Sequence, residues 1–281
     1  MTARKKGIYY LFCLVVTAGL KYYYHLADSA HLLWILAPTA WWVRILSGIT
    51  FEFQPAAGYV NHSLRFIIAP SCSGVQFLIL SIAALTFSFL HRMKDEKKCR
   101  LWILSSVCAS YLFTILVNGF RIILSIHLPP LFRQLGWFLE GLTPERLHSI
   151  IGISVYFTAL FFLYQLADRL SGLLAQAGSP SRHFLPLGET EEGSLPSAGA
   201  LPFPKRSIQY PMRRALLRWA GPVFWYFLIV LGLPFLNRAY EKEGEAFLQY
   251  ALLLIILCLI IVALSCGLYL IWWYRHLGDM E

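Results

Sequence analysis

Charge is scarce in this 281-residue chain: Asp, Glu, Lys and Arg make up 14% of it, whereas 58% is hydrophobic. A soluble domain of this size needs more polar surface, so the positive mean hydropathy places the chain in a bilayer. Cofactor motifs are missing too. No CxxC, HExxH, Walker or GxGxxG pattern occurs, and the eight histidines do not fall at metal-ligand spacing. Neither a metal nor a nucleotide cofactor is expected. Segments of alternating hydrophobicity, the mark of outer-membrane barrels, are absent, as is the internal repeat of duplicated transporters. No small-residue cleavage site separates the apolar stretch 8–20 from Lys21, so that stretch reads as a retained first span.

Acidic residues are also few, 15 against 24 basic ones, for a net charge of +9. In a soluble protein this would suggest nucleic acid. Here the basic residues sit in particular loops, with no basic stripe interleaved with aromatics, and no nucleic-acid partner is expected.

What the sequence has is long apolar runs. Residues 8–26, 73–90, 101–126, 148–167, 219–236 and 247–273 are each long enough to cross roughly 30 Å of hydrocarbon as a helix. The expected fold is all-α, a polytopic membrane helical bundle of about six transmembrane helices. A seventh apolar stretch, 31–49, contains Pro38 and Arg44 and reads as an interfacial or re-entrant helix as readily as a crossing. Aromatic pairs such as Trp41-Trp42 and Trp272-Trp273 suit the membrane interfaces.

Basic loops orient the bundle. The 91–100 loop carries Arg92, Lys94, Lys97, Lys98 and Arg100, and 168–218 carries seven more basic residues. Placing both in the cytoplasm with Arg4, Lys5, Lys6 and Arg275 puts 16 of the 24 basic residues inside, with both termini inside. The expected location is the cell membrane, multi-pass. The division read from composition is a membrane core over 1–169, a flexible basic cytoplasmic linker over 170–218, rich in Gly, Pro and Ser, and a two-helix extension over 219–281.

In this orientation Cys72, Arg121 and His148 lie at three helix ends on the outer face. A thiolate is a nucleophile, an imidazole can take its proton and return it to a leaving amine, and a guanidinium can hold a carboxylate or an oxyanion. Cys72 precedes Ser73-Gly74 at a helix start, where the dipole favours an anion, whereas Cys13, Cys108, Cys258 and Cys266 read as packing residues. Asn118, Arg121 and Ser125 at i, i+3 and i+7 give one polar helix face. Glu145 and Arg146 read as solvated loop charges, with orientation of the imidazole a second role open to Glu145.

Ala69-Pro70-Ser71-Cys72-Ser73-Gly74, then Asn118-Gly119-Phe120-Arg121-Ile122, then His148 with Gly152 and Val155-Tyr156-Phe157, resemble the exosortase and archaeosortase family of membrane sorting enzymes. The three blocks cover about 90 residues, and the likeness in hydropathy runs through about 1–169. The resemblance implies a cysteine transpeptidase or protease in which Cys72 is the nucleophile, Arg121 an essential partner and His148 the third member, with Asn118, Ser73 and Gly74 in support. Its substrates would be exported proteins with a C-terminal tail comprising a short motif such as Pro-Glu-Pro, a transmembrane helix and a basic cluster. Release would go to water or to a glycan or lipid acceptor. The subfamily stays open, exosortase type K among the candidates, and residues beyond about 169 lie outside the matched core. Two other readings stand beside it: a Ser73–His148 dyad resembling rhomboid intramembrane proteases, and a scaffold or small transporter in which Arg121, Asn118 and His148 form a polar network or bind an anionic lipid.

Overall fold

A computed structural model describes residues 3–136, 143–176 and 219–278. Its main elements, in chain order, are helices α1 (Ala3–Leu26) and α2 (Leu33–Ser47), strands β1 (Glu52–Gln54), β2 (Gly58–Asn61) and β3 (Phe66–Ile68), and helices α3 (Val75–Phe89), α4 (Glu96–Gln134), α5 (Pro144–Gln176), α6 (Trp219–Leu236) and α7 (Ala239–Gly278). Five helices are long and apolar enough to cross a membrane: α3 with its flanking turns, α4, α5, α6 and the part of α7 over Gly244–Tyr269. The protein is thus a helical membrane bundle. The 15 residues of α2 reach only about 22 Å at about 1.5 Å each, short of a crossing. Pro38 lies inside this helix and Arg44 on its exposed side.

α3 is the axis. It is apolar on every side and almost wholly buried, as such a helix must be. It packs against α1, α4 and α5, while α2 lies on α4 and α7 on α5. α2 comes close against α4 at Gly119, where an added Cβ would lie 2.5 Å from Trp42 Cδ1. The final helices join the same core: Tyr226, Leu254 and Cys258 are buried with Phe77, Phe89 and Phe157. Trp225 Nε1 donates to Ser88 Oγ (2.7 Å), and the Tyr226 hydroxyl donates to the Ile153 carbonyl (3.4 Å). In α6 the stretch Leu228–Gly232 winds as a π turn. Pro234, which has no N–H and whose ring crowds the carbonyl four residues earlier, accounts for this widening.

Two differences from the sequence reading stand out. An all-helical chain was expected, but residues 52–68 fold into a three-stranded antiparallel sheet, β1-β2-β3, pairing Phe53 with Tyr59 and Tyr59 with Ile68. Aromatic and β-branched residues such as Phe53, Tyr59, Val60, Ile67 and Ile68 favour strands. The linker expected over 170–218 falls mostly on residues outside those described, and its first seven residues continue α5 as helix to Gln176.

The bundle has two chemically distinct ends. At one, Lys6 Nζ donates to the His91 carbonyl, Arg92 pairs with Asp168 (2.8 Å) and donates to Ser171 Oγ (2.8 Å), and Lys98 Nζ donates to the Leu174 carbonyl. The basic start of α1, the 91–100 loop and the end of α5 therefore share one face. The sheet and the three candidate residues lie toward the other.

Candidate active site

β3 runs through Ala69 into a single 3-10 turn, Pro70–Cys72, closed by the Cys72 N–H on the Ala69 carbonyl (2.8 Å). Ser73 and Gly74 follow before α3 begins. Gly74 has φ +80°, a conformation that disfavours side chains, and a Cβ there would press on Asn118 and Thr114 at 3.1 Å. This turn brings the Cys72 backbone against α4, where Asn118 Nδ2 donates to the Cys72 carbonyl (2.7 Å). Cys72 is thus set on a turn before the helix, not on its first turn. Cys72 is partly exposed, and its backbone is fixed by Asn118 and the local turn.

α5 supplies the opposite wall. His148, Gly152 and Tyr156 recur at i, i+4 and i+8 on one face. Gly152 leaves a bare patch into which Arg121 fits: a Cβ there would lie 3.3 Å from Arg121 Nε and 3.8 Å from Nη2. Below it the Tyr156 ring stacks on Phe77, with centroids 5.0 Å apart, and lies 5.3 Å from the guanidinium carbon.

The structure brings the three sequence candidates together. Arg121 Nη2 donates to His148 Nε2 at 2.6 Å, and Cys72 Sγ lies 3.9 Å from the same nitrogen. Arginine has only donors, so Nε2 accepts and, in a neutral ring, the proton sits on Nδ1. Arg121 Nη1 reaches Asn118 Oδ1 (3.4 Å) and the Tyr156 hydroxyl (3.3 Å), and that hydroxyl donates to Asn118 Oδ1 (2.7 Å). Arg121 is 7% exposed, and the side chains described around it, those of His148, Asn118, Tyr156 and Cys72, include no carboxylate. A buried cation without a counter-charge is costly, so an anion arriving beside it is stabilised.

The supporting candidates divide. Asn118 is the hub of the network, and Gly74 permits the close approach of α3 to α4. Ser73 is completely buried, and its Oγ accepts the Val75 N–H (3.5 Å), which gives it a structural task. Ser125 is buried, with no partner for its Oγ among the described residues. Glu145 is exposed and is not among the described partners of His148.

Tyr156 and Gly152 entered the sequence reading only as neighbours of His148. Their spacing of four from His148 was the signal that they share its face. The polar stripe on α4 is also longer than Asn118 to Ser125, for Ser106, Ser110 and Thr114 continue it at intervals of four, all buried. Such residues are easily overlooked because a hydroxyl can bond its own helix, as Thr114 does to the Ser110 carbonyl (2.7 Å). No group of His, Cys, Asp or Glu able to hold a metal occurs among the described residues. Comparisons with protein families, with curated proteins and with solved structures find no match for this chain.

Proposed function

We propose that this protein is an exosortase-like cysteine protease or transpeptidase of the cell membrane, with six crossings, both termini inside and its active site at the outer face. One observation carries the reading: a thiol, an imidazole and a buried guanidinium with no carboxylate among its described partners converge within hydrogen-bonding distance from three separate segments. The sixth crossing is α1, whose 24 residues are long enough to span.

His148 Nε2 cannot accept from Arg121 and from the thiol with full strength at once. In the resting site Arg121 occupies that lone pair. A substrate carbonyl or carboxylate draws the guanidinium toward itself and frees Nε2, which then takes the proton from Cys72. The thiolate attacks the scissile carbonyl carbon, and Arg121 stabilises the oxyanion that forms. Collapse of the tetrahedral intermediate expels the amine, which takes its proton from His148 and leaves a thioester on Cys72. Water or an acceptor amine then attacks the thioester. The substrates are exported proteins whose C-terminal tail combines a short motif, an apolar helix and basic residues, so that the helix presents the motif beside Cys72.

Cys72→Ala and Cys72→Ser each abolish processing of a cognate tailed protein without lowering the amount of enzyme in the membrane. Normal processing by Cys72→Ala ends the proposal. Loss in Ser73→Ala with Cys72→Ala still active transfers the role to a Ser73–His148 dyad.

A further inference from the structure

The turn that carries Cys72 has few bonds of its own. A single 3-10 turn is weakly held, and this one contributes the Cys72 N–H on the Ala69 carbonyl (2.8 Å) and the Ser73 N–H on the Pro70 carbonyl (3.1 Å). Pro70 has no N–H, so its carbonyl is the one backbone polar group by which another element can grip it. Cys72 Sγ nevertheless has to stay near His148 Nε2, and at 3.9 Å it is already at the long end of a contact to sulfur. A further drift of a few tenths of an ångström breaks that contact. Such a tolerance calls for ties from neighbouring elements.

Two helices supply them. After the nucleophile, Asn118 of α4 donates to the Cys72 carbonyl (2.7 Å). Before it, the hydroxyl of Tyr24, in the last turn of α1, donates to the Pro70 carbonyl (3.3 Å). Tyr24 and Cys72 pack against the same buried cluster, which includes Leu32, Ile68 and Val75. The Cys72 thiol and the Arg121 guanidinium are near enough to the phenol to interact with it electrostatically.

A groove opens beside the site, with Arg121 and His148 in its lining, Lys21 and His25 contributed by α1 and Leu228 by α6. Tyr24 is not among its described lining residues. The phenol therefore meets the turn from outside the groove onto which the catalytic side chains open, which fits a part played through Cys72 and not on the substrate. We infer that Tyr24 is a positioning residue, its hydroxyl holding the Pro70 carbonyl so that the turn keeps Cys72 against His148. The inference rests on Cys72 being the nucleophile, and it makes α1 part of the catalytic apparatus.

Steady-state kinetics of the full chain, reconstituted in proteoliposomes with a tailed reporter at varied density, test the inference. Tyr24→Phe keeps the ring and removes the donor. If about 1 Å of misplacement costs about 100-fold, a drift of ~0.5 Å costs about tenfold, so kcat should fall by about that factor with KM unchanged. Tyr23→Phe is the control, because it loses a bond of the same kind, to the His31 carbonyl (2.7 Å), at an exposed position on the same turn of α1, and should keep the wild-type kcat. An unchanged kcat in Tyr24→Phe, an effect confined to KM, or an equal fall in Tyr23→Phe overturns the inference. Cys72→Ala in the same assay separates the two levels of the argument. If it is inactive while Tyr24→Phe is not slowed, only the role of Tyr24 fails; if it processes normally, nucleophile and positioning residue fall together.

Discussion

Replacing Gly152 by alanine tests the catalytic geometry with a single methyl group. The new Cβ would stand 3.3 Å from Arg121 Nε and 3.8 Å from Nη2, so the guanidinium must retreat by a few tenths of an ångström. Misplacement of a catalytic group by about 1 Å can cost about 100-fold, and on a logarithmic scale a shift of ~0.3 Å costs about fourfold. A glycine inside a helix is meanwhile up to about 1 kcal/mol less favourable than alanine, which sets a stabilising contribution against the crowding. Gly152→Ala should therefore lower the processing rate about three- to tenfold while leaving stability equal or higher. The assay is cleavage of a tailed reporter at matched enzyme levels, paired with thermal unfolding in detergent. Gly172→Ala is the control, because it lies on the same helix with nothing within 4 Å of the added carbon, and its rate should not change. A wild-type rate in Gly152→Ala, or an equal fall in Gly172→Ala, refutes the role given to the bare patch beside Arg121.

Three other perturbations follow from the geometry. Tyr156→Phe removes the hydroxyl that bridges Asn118 and Arg121 while keeping the stack on Phe77, and should lower stability by about 1–3 kcal/mol together with the processing rate; an unchanged melting curve contradicts this. Gly119→Ala drives a methyl group against Trp42 and should cost about 1–3 kcal/mol, most of it recovered in the double variant with Trp42→Ala; additive losses in that cycle would show that the two residues do not touch. In intact cells a membrane-impermeant maleimide should label Cys72, whereas a cysteine introduced as Lys97→Cys should react only after lysis; the reverse pattern inverts the topology.

Much of the bundle was legible in the sequence because a bilayer imposes a strict length and polarity on whatever crosses it. The apolar runs over 73–90, 101–126, 148–167, 219–236 and 247–273 each lie within or overlap a helix capable of crossing, extended at its ends where the chain leaves the apolar layer. The sheet over 52–68 was missed because its strands are three or four residues long, too short for alternation to register. Basic residues marked which loops belong together, and the contacts of Lys6, Arg92 and Lys98 gather those loops at one end.

The candidate site divides in the same way. Cys72, Arg121 and His148 were picked out by their chemistry together with their place at three helix ends in the orientation read from the basic loops, His148 resting mainly on chain order and on the family resemblance. Helical spacing held the further information that His148, Gly152 and Tyr156 lie on one face, but not which helix that face meets. Only the tertiary packing decided that Arg121 rests on Gly152, that His148 Nε2 serves both Arg121 and Cys72, and that Asn118 joins the turn at Cys72 to Tyr156. The groove is likewise a product of packing, as its walls come from segments more than 200 residues apart. Composition and periodicity are local properties of a chain, whereas a distance between side chains on different helices exists only once those helices have packed.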